Sequence, residues 1–274
     1  MGITSLLVGL MQQLPHTKKS LGQHWLDDEA SLDAMLTAAD VQQGDVVLEI
    51  GPGPGALTQK LVHQAETVLA VEFDEDLARD LPMRVPANNL QVVNQDILSF
   101  DLTQLPAGYK VVANIPYYLT SNLLRVMCES SNHFTSASLL IQKEVAERVC
   151  AKPGAMSLLS VSVQFYCEVW LDRLVPAELF TPPPKVDSQI LALRFRKAPL
   201  FPDVDTKLFF RVVKAGFAQR RKTLLNSLSG GLHLSRQRTQ ELLEGSGIAP
   251  TTRAQALSLE QWHVLYQHYR DLDA

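Results

Sequence analysis

Short, nearly unbroken apolar runs recur through the first half of the chain, at residues 46–50, 68–72, 90–93, 110–114 and 137–142. Such runs, bounded by turn residues, predict strands buried on both faces, as in a parallel sheet covered by helices. The intervals between them carry a different period. Residues 27–40 place Leu32, Met35, Leu36 and Ala39 at helical spacing after an acidic start, residues 56–64 read as a helix, Asp74 and Asp76 open another, and 143–150 form a polar one. Residues 161–170 alternate apolar and polar, and are expected to pair antiparallel with 188–195 as a hairpin at one edge. After Pro199-Leu200-Phe201-Pro202, read as a linker, helices are predicted over 209–228, 232–243 and 258–269. The expected organisation is an N-terminal extension over 1–17, an α/β domain over 18–198 and a small all-α domain over 199–274.

The polar residues that interrupt this pattern fall where the strands end. Gly51-Pro52-Gly53-Pro54-Gly55 joins the first strand to a helix, and glycines at such a turn let a ligand approach the backbone closely. Its two prolines and its Gly-x-Gly-x-Gly spacing depart from the dinucleotide fingerprint, so pyrophosphate is not the favoured ligand. The second strand ends in Glu72, at about the twenty-residue offset where an acid takes ribose hydroxyls. Asp96 follows the third strand; it either accepts the amino group of an adenine, with Ile97 packed on the ring, or caps a turn. The fourth strand ends in Asn114-Ile115-Pro116-Tyr117. In an open parallel sheet, ligands bind outside the carboxyl ends of the strands, which brings Gly51, Glu72, Asp96 and Asn114 to one site.

The last of these motifs suits one task. An exocyclic amine on a planar base is a poor nucleophile, because its lone pair is delocalised into the ring. Pro116 stops the strand and stiffens the turn. The Asn114 side-chain oxygen and the Ile115 carbonyl can each accept one amine hydrogen, which draws electron density to the nitrogen, while Tyr117 stacks on the base. Taken without its surroundings, the same quartet is a strand end with a capping Asn and tyrosines in the core.

At 274 residues there is room for one substantial α/β domain and a smaller one. The net charge of −4 argues against a protein that coats nucleic acid, yet between residues 181 and 225 the cations far outnumber Asp187, Asp203 and Asp205. Arg220-Arg221-Lys222, inside a predicted helix, suits RNA phosphates; its other reading is a solvated helix face. Pro182, Pro183 and Pro184 hold their segment extended and present Phe180 and Lys185 beside the site. Phe180 either stacks on a flipped base or plugs the core. Cys128, Cys150 and Cys167 have neither disulfide-framework nor zinc-site spacing, which points to a reducing, cytoplasmic compartment and no metal. The apolar stretch 3–11 is too short to span a bilayer, and reads as a ragged extension or an artefact of the assigned start. Residues 18–26, with two cations and a Gln-His-Trp cluster, form either a surface arm or a lid over a small ligand.

Glu-Ile-Gly-Pro-Gly-Pro-Gly at 49–55, the acid ending the second strand, Asp-Ile at 96–97 and Asn-Ile-Pro-Tyr at 114–117 resemble a class I S-adenosylmethionine-dependent methyltransferase. Phe-Thr-Pro-Pro-Pro-Lys-Val-Asp-Ser at 180–188, Gln-Arg-Arg-Lys-Thr-Leu at 219–224, Lys-Ser-Leu-Gly-Gln at 19–23 and the segment 250–257 narrow the resemblance to the bacterial 16S ribosomal RNA adenine dimethyltransferase family, over nearly everything after Lys18. The resemblance implies a Rossmann-like sheet with an antiparallel edge hairpin and a small helical C-terminal domain. It implies that His24 and Leu26 help hold the methionine part of S-adenosylmethionine, that Gly51 lies under it, that Glu72 binds ribose and Asp96 adenine, and that Asn114 touches cofactor and target. The implied reaction adds four methyl groups to the N6 atoms of two adjacent adenines in the 3′-terminal hairpin of 16S rRNA, within the immature 30S subunit. The enzyme is expected to be a monomer. The chain departs from the family pattern at His24-Trp25, where Asn-Phe is usual, at 156–160, which lack a Tyr-Gly pair, and at Leu225, a position often held by Arg. Competing readings are a DNA N6-adenine or 23S rRNA methyltransferase, which share the Asn-x-Pro-Tyr site, and a ribosome-assembly checkpoint that binds the particle without needing to methylate it.

Overall fold

The computed structural model describes Pro15, Thr17, Lys18 and residues 21–273. The extension expected over 1–17 therefore lies outside the described residues except at Pro15 and Thr17. Lys19 and Ser20 lie outside them too. The chain divides into two compact units, Met1–Ala146 with Val169–Phe195, and Glu147–Glu168 with Arg196–Ala274.

The first unit opens with β1 (Trp25–Leu26) and α1 (Glu29–Ala38), whose N-cap Asp28 accepts the Ser31 N–H at 2.9 Å. There follow β2 (Val46–Ile50), α2 (Ala56–Gln64), β3 (Thr67–Glu72), α3 (Glu75–Arg84), β4 (Leu90–Asn94), β5 (Lys110–Asn114), α4 (Thr120–Glu129), β6 (Ser136–Gln142) and α5 (Lys143–Val149). Next along the chain come α6 (Leu158–Tyr166), which belongs to the second unit, and then β7 (Cys167–Val175), β8 (Phe180–Thr181) and β9 (Ser188–Phe195). Seven strands form one sheet in the order β4-β3-β2-β5-β6-β9-β7. All pairings from β4 to β6 are parallel, and β9 runs antiparallel to β6. Beyond it, Arg196 N–H bonds Tyr166 O near one end and Gln189 Nε2 bonds Asp172 O nearer the other, so β7 opposes β9. The succession of strands reverses between β2 and β5, and at such a switch point two loops diverge and leave a crevice. A separate two-stranded sheet pairs β1 with β8, placing Trp25 opposite Thr181 and Leu26 opposite Phe180. One core of this unit packs Leu32, Met35, Leu57 and Leu61 against Val47, Val112, Leu140 and Ile190 of the sheet.

The second unit contains α6 and, after a stretch without regular structure, α7 (Thr206–Phe217), α8 (Leu224–Gly231), α9 (Arg236–Gly245) and α10 (Leu259–Asp273). Its core is rich in aromatic rings: Phe165 and Phe209 lie 4.9 Å apart, and Trp262 lies 5.5 Å from Phe217.

Four expectations are corrected here. Residues 161–166 are helical, because Ser157 and Ser160 close a reciprocal capping box that starts α6, and Val161 and Phe165 turn into the helical core. The division of the chain follows from that core, since Met156, Val161 and Phe165 pack with the C-terminal helices although they precede residue 199. The single helix expected over 209–228 is two helices. Its break is set by contacts remote in sequence: Leu224 N–H donates to Thr252 O at 2.7 Å, and a Cβ on Gly231 would stand 2.8 Å from Ala215 Cα, so α8 folds back on α7. The helix expected from 232 begins at Arg236, where Ser235 accepts the Arg238 N–H at 3.2 Å.

Candidate active site

The carboxyl ends of β2, β3 and β5 border one cleft, which is closed along its side by residues 21–26 and by Phe180. Gly51 occupies the gap between β2 and β5 with φ +68°; its N–H donates to Val71 O at 2.9 Å, and a Cβ there would lie 3.8 Å from Asn114 O. The floor of the cleft is thus bare backbone, which a ligand can approach without meeting a side chain. Gly53 serves a second purpose. A Cβ on it would come within 2.8 Å of the Trp25 ring, so only glycine lets the 21–26 segment lie on the loop.

Glu72 is buried at the end of β3, and both its oxygens are engaged: Gly53 N–H donates to Oε2 at 3.1 Å and Asp74 N–H to Oε1 at 2.9 Å. Burial pushes its carboxyl above the ordinary range, while the two N–H groups pull it back. Each oxygen keeps a lone pair for a further donor. Asp74 ties residues 18–23 to this corner, accepting from Lys18 Nζ at 2.7 Å and Gln23 Nε2 at 3.1 Å. Burial would raise the Asp74 carboxyl, but Lys18 and Gln23 bring it below its usual value.

Asn114 Nδ2 donates to His24 O at 3.4 Å, which leaves Oδ1 as the acceptor end of the amide. The Tyr117 hydroxyl shares a 2.8 Å hydrogen bond with Ser188 Oγ, and its ring lies 6.2 Å from the His24 ring, nearly parallel to it. Burial pushes the Tyr117 phenol up, with Ser188 opposing. His24 Nδ1 donates to Pro182 O at 2.7 Å, so the residue standing where Asn-Phe is usual clamps residues 21–26 to the proline segment. Leu26 is buried beside the cleft, as is Phe180, which is 3 % exposed and packs in the core with Val175 and Ile190.

The other expected site residues are placed differently. Asp96 lies at the end of β4 and outside the cleft lining; its Oδ1 caps Leu98 N–H at 2.9 Å, and Oδ2 is left over. Gln95 N–H, on the residue just before Asp96, bonds Glu72 O at 3.0 Å. Lys185 is exposed and does not line the cleft. Arg220, Arg221 and Lys222 belong to the second unit and sit exposed on the turn between α7 and α8, not within a helix; Lys222 N–H closes that turn on Gln219 O at 3.0 Å. Leu225 is core, not surface.

Glu49 was not among the expected site residues, although the sequence marks it: it is an acid inside an otherwise apolar strand. It is fully buried, lines the cleft, and neither carboxylate oxygen has a hydrogen-bond partner among the described residues. Burial drives its carboxyl up to about 8; the Thr58 hydroxyl, itself buried without a hydrogen bond of proper geometry, lies near enough to oppose the rise, and the Glu72 charge adds to it. Phe73 and Tyr118 also line the cleft, yet both remain largely exposed. Among the described residues, no helix is long and apolar enough to cross a membrane.

A sheet that reverses at β2/β5, carries a glycine loop and a strand-terminal acid there, and adds an antiparallel edge defines a class I methyltransferase. Two solved structures share it over almost their whole length. A dimethyladenosine transferase from Plasmodium falciparum superposes with a TM-score of 0.77 at 27 % identity, covering 90 % of this chain and 97 % of that one. The 23S rRNA methyltransferase ErmE superposes with a TM-score of 0.72 at 28 % identity, covering 89 % and 98 %. The chain belongs to the ribosomal RNA adenine dimethylase family, whose pattern it matches over residues 15–271. It is 40 % identical over 258 residues to a Ribosomal RNA small subunit methyltransferase A of Dehalococcoides mccartyi, covering 93 % of this chain and 89 % of that protein. A protein of the same name from Clostridioides difficile is 38 % identical over 256 residues, with 90 % and 89 % covered.

Proposed function

We propose that the protein methylates N6 of two adjacent adenines in the 3′-terminal hairpin of 16S rRNA, using S-adenosylmethionine, late in assembly of the 30S subunit. The observation that carries this reading is the Asn114 amide. Held by its nitrogen on His24 O and followed by the rigid Pro116 turn, it offers an oxygen to an amine hydrogen, with the Ile115 carbonyl next in the chain and the Tyr117 ring fixed beside it. The family and the 38–40 % identical relatives support ribosomal RNA and the small subunit as substrate.

The cleft fits S-adenosylmethionine. An orphaned buried carboxylate at Glu49 suits the cationic end of that molecule, Gly51 offers bare backbone beneath it, and Glu72 retains lone pairs for ribose hydroxyls. His24, Leu26 and Asn114 would complete the methionine side, and Asp96 the adenine side. Bound there, the cofactor supplies a methyl group activated by its sulfonium. Asn114 and the Ile115 carbonyl orient the target amine, Tyr117 stacks on its base, and the displaced N6 proton passes to water, so no strong general base is required. Phe180 stiffens the wall, while Lys185, Arg220, Arg221 and Lys222 contribute phosphate contacts that set register without reading sequence. The enzyme acts in the cytoplasm as a monomer, with an α/β catalytic domain and a helical RNA-binding domain.

The test is incubation with methyl-labelled S-adenosylmethionine and small-subunit particles lacking the modification, followed by mapping of the label. Dimethyladenine at two neighbouring positions of the 3′-terminal hairpin is the expected result. Label on 23S rRNA or DNA, or none, overturns the reading.

A further inference from the structure

Tyr118 follows the catalytic quartet directly and, at 65 % exposure, is the most exposed large apolar side chain among the described residues. It lines the same cleft as Asn114 and Tyr117, but the two tyrosines are held differently. Tyr117 has its hydroxyl bound to Ser188 and its ring beside His24. The Tyr118 hydroxyl has no hydrogen bond among the described residues. Its ring instead leans on Gly22, where a Cβ would stand 3.8 Å from Cδ1 and Cε1. The backbone beneath is stiff: Tyr117–Leu119 form a single tight turn, in which Leu119 N–H donates to Pro116 O at 3.0 Å and Thr120 Oγ1 to Tyr117 O at 3.1 Å. A ring mounted on a stiff backbone turn and open to water over most of its surface gains little from folding. It is, however, well suited to receive a base, since every base has a π-face.

The substrate proposed above raises the need for such a ring. To enter the cleft, an adenine must leave the stack, and the neighbouring adenine then loses its partner on one face. We propose that Tyr118 is the stacking platform for that neighbouring adenine, holding it at the mouth of the cleft while its companion lies against Asn114 and Tyr117. This rests on the function proposed above. Tyr118 thereby positions the pair and favours a site with two adjacent purines over an isolated adenine.

The test compares wild type with Tyr118→Ala, Tyr118→Leu and Tyr118→Phe on unmodified particles and on an RNA hairpin. In the hairpin, one adenine of the pair is replaced by 2-aminopurine, whose fluorescence falls when it stacks. Tyr118→Ala and Tyr118→Leu are expected to raise KM for RNA about tenfold, the scale of one lost base–aromatic stack, and to leave the 2-aminopurine bright. Tyr118→Phe restores both values, because the ring and not the hydroxyl is used. Cofactor affinity and Tm stay at wild-type values in all three variants. Unchanged KM and unchanged quenching in Tyr118→Ala overturn the platform, as does a Tyr118→Phe variant that behaves like Tyr118→Ala. The two proposals fail separately: a wild type that leaves the unmodified particles unmethylated removes the substrate assignment, whereas a wild type that dimethylates them alongside an unaffected Tyr118→Ala removes only the platform.

Discussion

The carboxyl edge of the sheet and the centre of the helical unit treat buried groups in opposite ways. At the sheet edge, Glu49 is buried with no partner, Glu72 is buried on two backbone N–H groups, and Phe73 and Tyr118 stand exposed beside them. In the helical unit, Phe165, Phe209, Trp262 and Tyr266 fill the interior, and the cations Arg220, Arg221 and Lys222 are left in solvent. The helical core follows the usual rule of apolar inside and charged outside, although Trp262 Nε1 is buried there without a hydrogen-bond partner among the described residues. The sheet edge breaks it twice, and both breaks lie in the cleft. Departures of this kind are expected where a protein must accept a ligand, because the missing partner is then supplied from outside.

That contrast predicts that substitutions in the two regions move different observables. The largest expected effect is Trp262→Ala. Removing a fully buried indole from the aromatic core should cost about 3–5 kcal/mol of stability, read as an early denaturant midpoint, while cofactor affinity measured on the folded protein stays near wild type. A loss of cofactor binding without a loss of stability would break the contrast. Asn114→Ala should do the reverse. Methyl transfer should fall roughly 100-fold or more, the scale of losing one positioned polar group, with Tm almost unchanged because Asn114 makes a single long hydrogen bond. Preserved turnover would show that the amine is oriented by something else.

The smallest effect, and the sharpest probe, concerns Glu49. Its folded pKa of about 8 lies above the value of 4.5 for an ordinary glutamate, so between those values the folded state holds the proton more tightly than the unfolded state. The contribution of this group to stability is most favourable below pH 4.5 and declines as pH rises through 8. Glu49→Gln carries no such proton. Measured without cofactor, Tm of the wild type should therefore drop relative to Glu49→Gln by a few degrees between pH 5 and pH 8. Parallel pH profiles for the two proteins would mean that Glu49 is hydrated in the folded state.

Elements whose signals are local were legible from the chain. Lys110–Asn114 and Ala56–Gln64 begin and end where their own residues say, at Pro116 and after the glycine loop. The convergence of Gly51, Glu72 and Asn114 was legible as well, because parallel strands deliver successive loops to one edge. Residues 161–166 were not, since Val161 and Val163 alternate like a strand and only the Ser157–Ser160 box decides for a helix. Nor was the division of labour at His24, whose ring meets a carbonyl 158 residues away.

The amino-acid sequence by itself determined the alternation of buried strands and helices, the strand-end motifs and the family, because each depends on residues within a few positions of one another. Tertiary structure alone decided which polar groups found partners. Whether Glu49 is orphaned, whether Phe180 is covered, and whether Arg220 to Lys222 stand on a turn depend on contacts between segments far apart in the chain. Burial and pairing are properties of that packing, and they turn an ordinary glutamate into a raised carboxyl and one of two adjacent tyrosines into an exposed ring.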